Sequence, residues 1–201
     1  MPAKFRAIEA LATMPHRPLS EYVENVRQIW SPENSVADKV RNFDLSHALE
    51  PFLDDRVQPV EISEIGSAKK RLGFGDVVIS RLRSYLKQIS IVRCSESILA
   101  VGSSEFIVLR PIGRLRSETI LAFLRSDLIQ TILKWSQDGT NHPRFDEETL
   151  LSIPVPDALV DAQNDIGGAV EAGISARQAM IGFIENGRRL IEAELSKGVR
   201  Q

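Results

Sequence analysis

Four short runs rich in β-branched residues occupy residues 74–112 and constrain the fold more than any other feature. They are "DVVIS", "QISIVRC", "SILAV" and "EFIVLRP". Each run is too short for a typical helix, and glycines, serines and charged residues separate one run from the next. The segment therefore predicts a compact, mixed or antiparallel β-sheet or a small barrel. Its first two runs, within residues 73–92, have the pattern of a β-hairpin.

Helices are predicted on both sides of this sheet. Residues 3–13 have the pattern of a short helix, and residues 18–30 are either a helix or an irregular start to the sheet. After the sheet, Ser117 is a suitable N-cap for a helix whose apolar residues recur every three or four positions up to Trp135. Asp146 is expected to cap a second, short helix, and Pro154 and Pro156 require an extended segment. The fold class predicted is α+β.

A long helical pattern covers residues 160–196. Its apolar residues follow a spacing close to a 4-3 repeat, as in a coiled coil. They are Ile166, Val170, Ile174, Ile181, Ile184, Ile191 and Leu195. Five glycines interrupt the pattern, and each lowers helix stability by about 0.5–1 kcal/mol relative to alanine. The helix must therefore pack either on its own domain or on a helix from a second copy. The predicted organisation is an N-terminal arm (1–17), a globular domain (18–159) and a long helix (160–201).

Positive charge is concentrated in residues 66–116. This segment holds ten lysines and arginines against three carboxylates, a net charge of +7, so the remainder of the chain carries −9. A basic segment in an otherwise acidic protein suggests one surface for a polyanion such as nucleic acid. A solvated sheet face with clustered charges is the alternative.

Other residues restrict the function classes. Cys94 is the single cysteine, so no internal disulfide is expected, and it reads as a small buried residue. We expect a cytoplasmic protein, because no apolar run has the length of a signal peptide or a membrane span. The histidines, His16, His47 and His142, are far apart and lack metal-ligand spacing. No catalytic residues, metal or cofactor are predicted.

Four segments together resemble one family. The segment "RLGFGDVVISRLRSYLKQISIV" resembles the hairpin of the target recognition domains in type I restriction-modification specificity (S) subunits, and "SSEFIVLRP" resembles the strand that follows. The segment "ILAFLRSDLIQTILKWSQDGTNHPRFDEETLLSIPVPDA" is similar to the next helix, loop, short helix and proline turn. "AQNDIGGAV" resembles the start of the long helix that ends each half of such a subunit, with Ala162 in place of the usual glutamate. The likeness covers residues 18–195.

The resemblance implies a role without catalysis. Such subunits bind double-stranded DNA, select its sequence, and hold methyltransferase and restriction subunits around it. They usually have two recognition domains and two long helices, whereas this chain has one of each. Homodimerisation through the long helix would restore the full arrangement, and two-fold symmetry would then imply a palindromic, interrupted target.

On this interpretation the cations of the predicted hairpin contact DNA. Arg81, Arg83 and Lys87 are the first candidates, with Arg81 and Arg83 on one face of a strand. Tyr85 either stacks or binds a phosphate, or it packs in the turn. A basic run before the hairpin offers phosphate contacts or is simply solvated; it comprises Lys69, Lys70 and Arg71.

The "GTNHPRF" segment is a second candidate for contact with DNA. Asn141 could read adenine, and Arg144 could meet a phosphate or guanine. The alternative is a structural loop shaped by Gly139 and Pro143. A wider alternative holds for the whole chain, namely an interaction module of the same fold that joins a complex without reading DNA.

Overall fold

Two five-stranded sheets, one two-stranded sheet and a set of packed helices form the part of the chain that the structure, a computed structural model, describes. The described residues are 3–139 and 142–198, so Asn141 lies outside them. The strands are β1 (His16–Pro18), β2 (Val23–Asn25), β3 (Ile29–Trp30), β4 (Lys39–Phe43), β5 (Phe52–Leu53), β6 (Val60–Glu61), β7 (Lys69–Leu72), β8 (Val77–Ser80), β9 (Ile89–Val92), β10 (Ala100–Gly102), β11 (Phe106–Pro111) and β12 (Pro154–Pro156). The helices are α1 (Ala3–Ala12), α2 (Ser117–Arg125), α3 (Asp127–Lys134), α4 (Glu147–Leu151), α5 (Asp157–Asp161) and α6 (Gln163–Gly198).

The first sheet has the strand order β2-β11-β8-β9-β5, and the second has the order β3-β7-β10-β4-β6. Antiparallel pairing dominates, but β5–β9 and β4–β10 are parallel. The mixed α+β fold class predicted from the sequence is therefore confirmed. β8 and β9 form the predicted antiparallel hairpin, in which Val77 pairs with Ile91.

Strand β8 is buried on both faces, and its alternation distributes side chains between two cores. Val77 and Ile79 belong to the core that the first sheet forms with the helices. Val78 belongs to a second core with residues such as Phe43 and Leu72 from the other sheet. The continuous apolar run in the sequence is thus explained by a strand covered by helices on one side and by a second sheet on the other.

The turn before β8 is organised by a buried carboxylate. Asp76 is fully buried; it accepts a hydrogen bond from the Gly73 backbone N–H at 2.7 Å and from Arg110 at 2.8 and 3.0 Å. Gly75 has a φ of +83°, a conformation that favours glycine. The "GFGD" segment therefore has a structural role in starting the hairpin.

The helix predicted over residues 117–135 is in fact two helices, α2 and α3. The chain is extended at Ser126, whose hydroxyl accepts the Ile129 N–H and caps α3. Trp135 is the C-cap residue of α3, its exposed fraction is 61%, and it is not part of the buried stripe. Ser117 is not the N-cap either: it is the first helical residue, and its hydroxyl donates to the Gly75 carbonyl at 2.6 Å. The predicted cap of α4 by Asp146 is confirmed, with the Thr149 N–H donating at 2.6 Å.

Residues 3–18 brace the globular domain. Ala7 and Leu11 of α1 are buried in the helix-side core, where α1 packs against α3. β1 then pairs with the proline-bounded strand β12, with Arg17 opposite Val155. Residues 19–30 form a 3-10 turn and the short strands β2 and β3, so the second of the two sequence interpretations, an irregular start to the sheet, is the right one.

Helix α6 begins at Gln163, after a break that separates it from α5, and its first half packs on α2. The Gln163 side chain accepts the Arg116 N–H at 3.2 Å. A Cβ atom at Gly167 would lie 3.1 Å from Arg116 Nε, so glycine permits this close approach. Across residues 3–139 and 142–198, the helices include none with both the length and the apolar character that a bilayer crossing needs.

Candidate nucleic-acid interface

The turn that joins β8 and β9 has an unusual backbone. Arg83 and Lys87 have φ values of +51° and +49°, and they bracket a 3-10 turn over Ser84–Leu86. Residues other than glycine rarely adopt this conformation, which costs about 1–3 kcal/mol and concentrates at functional sites. Two of the cations predicted to contact DNA thus occupy strained positions that surrounding contacts maintain.

These positions correct the predicted arrangement of Arg81 and Arg83. β8 ends at Ser80, so neither arginine lies on a strand and strand alternation does not place them on one face. Ser80 instead accepts the Leu82 N–H with its hydroxyl, which turns the chain at the strand end. The Arg83 N–H donates to the Pro143 carbonyl at 3.0 Å.

That contact brings together the two segments that the sequence identified separately. Leu82 and Arg144 form a β-bridge, so the hairpin turn lies against residues 143–145, the described end of the "GTNHPRF" segment. Glu105 lies between them: its carboxylate accepts Arg81 Nε at 2.9 Å, and Arg144 Nε and Nη2 at 3.0 and 2.7 Å. One carboxylate therefore holds an arginine from each candidate segment.

The electrostatics of this cluster favour a permanent charge on Glu105. Hydrogen bonds from Arg144 and then Arg81 hold the pKa of the Glu105 carboxyl at about 2, although partial burial opposes the shift. Both guanidiniums remain partly open to solvent, with exposed side-chain fractions of 40% for Arg81 and 42% for Arg144. The cluster carries a net charge of +1 and presents it at the surface.

Much of the positive charge of residues 66–116 is neutralised inside the chain. Five of its ten cations form ion pairs with carboxylates, namely Arg81, Lys87, Arg93, Arg110 and Arg116. Lys87, for example, reaches Asp127 at 3.1 Å, although both side chains are largely exposed. The sequence charge therefore overstates the charge that is available to a polyanion.

The basic run 69–71 lies on β7, and the pleat divides it. Lys69 and Arg71 point to the face opposite Lys70, because successive side chains of a strand alternate. Lys70 pairs with Gly102, the last residue of β10, and Glu105 follows Gly102 by three residues. The start of β7 therefore lies at the same end of the sheets as the arginine cluster. Arg71 instead lines a separate open groove of about 510 Å³ together with Phe74 and Arg110.

Other residues near this end were missed in the sequence. Arg27 is exposed and reaches Glu147 at 2.9 Å, three residues after Arg144. The sequence did not predict the position of Arg27, because the apolar spacing did not distinguish the short strands β2 and β3 from a helix. Trp135, which the sequence placed in a buried stripe, is more than half exposed at the end of α3, as is the predicted candidate Tyr85 in the hairpin turn. Ser126, a serine followed by aspartate, was the available signal for the start of a separate helix α3.

The residues predicted to pair with a second copy fall into two groups. Ile174 is 3% exposed and lies in the chain's own core, and the partly buried Val170 and Ile181 pack against that core. Arg177 also ties this half of α6 to Glu50 at 2.8 and 3.1 Å. Because Ile174 is fully occupied by its own domain, we remove it from the predicted pairing face.

Beyond residue 182 the same helix face is open. The exposed fractions are 66% for Ile184, 63% for Ile191 and 66% for Leu195. Phe183 adds a further exposed ring at 77%. An isolated helix that exposes this many apolar side chains is a candidate interaction surface. Ile166, at the other end of α6, is half-buried against the domain.

Cys94 is buried, as the sequence indicated, and burial raises the pKa of its thiol. Within residues 3–139 and 142–198, no group of histidine, cysteine and carboxylate side chains is arranged to hold a metal ion.

Comparisons with known proteins give the fold a counterpart. No protein-family model matches the chain, and no curated protein matches its sequence. Several solved structures match, and two of them have a TM-score of 0.60 each. One, 21% identical, belongs to work on complex assembly and conformational transition of the type I R-M system; the other, 22% identical, is the HsdS subunit from Thermoanaerobacter tengcongensis. The chain therefore has the fold that these two structures share.

The likeness covers 88% of this chain but only 45% and 44% of the two solved chains. The chain thus spans just under half the length of the solved chains that it matches.

Proposed function

We propose that this chain is the sequence-recognition component of a type I restriction-modification system. It binds double-stranded DNA, contributes no catalysis, and holds methyltransferase subunits, with or without a restriction subunit, at the target. The observation that carries the proposal is the convergence of the hairpin turn and the "GTNHPRF" loop on Glu105, in a chain with the fold of specificity subunits. Two segments that resemble that family in sequence thus meet in one cationic surface.

The proposed DNA surface is the end of the sheets around this cluster. We assign phosphate contacts to Lys70 and Arg83, because no carboxylate neutralises them within the described residues; Lys69 shares the β7 face of Arg71 and stays a proposal from the sequence. Lys87 follows the same turn, Tyr85 lies within it, and both are exposed. Asn141 and Arg71 remain proposals from the sequence; Asn141 is outside the described residues, and Arg71 faces the separate groove.

The proposed assembly is a homodimer through the second half of α6. The exposed Ile184, Ile191 and Leu195 would be covered by the same residues of another copy, as isologous contacts require. A symmetric dimer would place two DNA surfaces on one duplex and would read a palindromic, interrupted target.

A second function is favoured by a specific observation. Arg81, Lys87 and Arg144 are all ion-paired within the chain, which reduces their attraction for phosphate. An interaction module of the same fold would join a specificity complex through α6 without contacting DNA. This candidate predicts association with partner subunits and no affinity for a duplex at low salt.

Light scattering on the full chain, with and without a random-sequence duplex, distinguishes the two. The proposed function predicts a particle of twice the 22.4 kDa monomer mass that gains the mass of the duplex at low salt. Its affinity should fall steeply as salt rises, because counterions are released when lysine and arginine meet phosphates. A dimer that ignores every duplex at low salt would favour the interaction module instead.

A further inference from the structure

Glu105 is the residue whose role the DNA-binding function does not explain by itself. A carboxylate on a phosphate-binding surface repels DNA, yet this one lies between two arginines of the proposed interface. It is not needed to start β11 either, since the Glu105 backbone makes its own hydrogen bonds: its N–H donates to the Ser103 hydroxyl, and its carbonyl accepts the Arg81 N–H.

The two arginines use their donors differently. Arg144 meets the carboxylate with its Nε and Nη2, and its Nη1 donates to the His142 carbonyl at 3.3 Å. Arg81 meets the carboxylate only through Nε, and its two terminal nitrogens have no hydrogen-bond partner within the described residues. A guanidinium has five N–H donors in a rigid fork. Arg81 therefore keeps both terminal nitrogens free for a bidentate contact, whereas all three side-chain nitrogens of Arg144 already donate hydrogen bonds.

The main chain fixes the base of Arg81 as well. The Arg81 N–H donates to the Glu105 carbonyl at 3.1 Å, and its carbonyl accepts the Phe145 N–H at 3.2 Å. A side chain held at both its backbone and its Nε loses little rotamer freedom when its terminal nitrogens bind a ligand. Terminal nitrogens presented in this way match the O6 and N7 acceptors of guanine in the major groove.

We propose that Glu105 is a positioning residue for DNA sequence discrimination: it fixes Arg81 so that the free fork reads a guanine, with Arg144 as a buttress on the other side. The inference rests on the proposed DNA-binding function. It assigns base reading to Arg81 rather than to Arg144, and it gives an acidic residue a favourable role in selecting a target.

The experiment compares variants of the full chain with a randomised duplex pool. The sequence that wild type enriches is recovered, and discrimination is measured as the ratio of dissociation constants for that sequence and a random duplex. Glu105→Gln keeps an amide oxygen but loses the charge that orients both arginines. Glu61→Gln is the matched control, because it removes a carboxylate from the exposed Lys39 pair and changes the net charge equally.

Glu105→Gln should reduce discrimination roughly 5- to 150-fold, the range that one bidentate base contact supplies. Glu61→Gln should leave discrimination unchanged. In an Arg81→Lys background, which lacks the fork, Glu105→Gln should reduce discrimination by less than about twofold, because the two residues act through one contact. Thermal melting of each variant shows that the fold is retained.

Three results would overturn the inference. Discrimination by Glu105→Gln equal to that of the control would remove the role of Glu105 and leave the DNA-binding function intact. An equal loss in both backgrounds would show that Glu105 does not act through Arg81. If wild type itself enriches no sequence, the proposed function fails, and the inference fails with it.

Discussion

The same substitution at two positions of α6 should have opposite consequences. Ile174 and Ile184 lie ten residues apart on one helix, but Ile174 is 3% exposed and Ile184 is 66% exposed. Ile174→Asp places a carboxylate in the domain core, whereas Ile184→Asp changes only a side chain that is already in water within one copy. Each variant therefore tests one half of the pattern that the sequence presented as continuous.

The magnitudes follow from burial. Truncating a buried isoleucine costs about 2–5 kcal/mol, and an unpaired carboxylate adds to that cost, so Ile174→Asp should remove much of a typical domain stability of about 5–15 kcal/mol. A single Ile184 side chain gains about 1.5–3 kcal/mol on full burial. A symmetric dimer would bury Ile184 of both copies, and about two thirds of each side chain is exposed in one copy and so available for burial. Ile184→Asp should therefore weaken a dimer by about 2–4 kcal/mol. That corresponds to roughly 30- to 700-fold in the dissociation constant.

Chemical denaturation and light scattering measure the two effects separately. Ile184→Asp should change the free energy of unfolding of the monomer by no more than about ±0.5 kcal/mol, as is usual for surface substitutions. It should lower the particle mass measured by light scattering. Ile174→Asp should unfold or melt far earlier. Ile181 is a poor test site, because its half-buried side chain packs on the core and would mix both effects. A wild-type dimer that survives Ile184→Asp would refute the pairing argument, and an Ile174→Asp variant with wild-type stability would refute the packing argument.

Three further predictions concern stability. Gly173→Ala should raise the free energy of unfolding by about 0.5–1 kcal/mol in a denaturant titration, since a Cβ there meets nothing within 4 Å. Gly167→Ala should give a free energy of unfolding at least about 0.5 kcal/mol lower than that of Gly173→Ala, because its Cβ approaches Arg116. Similar gains from both would show that the close approach is unimportant. Because the pKa of Glu105 is lowered, its contribution to the free energy of unfolding is complete above the ordinary value of 4.5 and is lost as the pH falls toward about 2. Glu105→Gln should therefore flatten the acid side of the stability–pH profile. An unchanged profile contradicts the ion-pair assignment. Asp76→Asn should lower the free energy of unfolding by about 2–4 kcal/mol, less than the full cost of breaking a buried pair because the arginine partner is partly exposed, and a variant that melts like wild type would rule out the turn-forming role.

The local pattern of the chain was sufficient for the elements whose signals are short in range. The β-branched runs predicted β8, β9, β10 and β11, because alternation and turn residues act over a few positions. Asp146 predicted the start of α4, and the prolines predicted β12. Ser126 carried a signal of the same kind, but the apolar spacing across it was given more weight, and the broken helix was missed.

The candidate site depended on the tertiary structure. The cations of the hairpin were visible in the sequence, but their partners were not, because Glu105 lies 24 residues from Arg81 and 39 residues from Arg144. Only the pairing of β8 with β11 and the bridge from Leu82 to the loop bring the three side chains together. Charge counted along a chain cannot show which cations are already neutralised.

The long helix shows the same division. The sequence by itself determined that residues 160–196 favour a helix with an apolar face, since a 4-3 spacing of apolar residues specifies both. It could not determine what covers that face, because burial depends on which surface packs against it. Packing on α2 and the contact of Arg177 with Glu50 cover the first half in the chain's own core, and the tertiary structure leaves Ile184, Ile191 and Leu195 exposed.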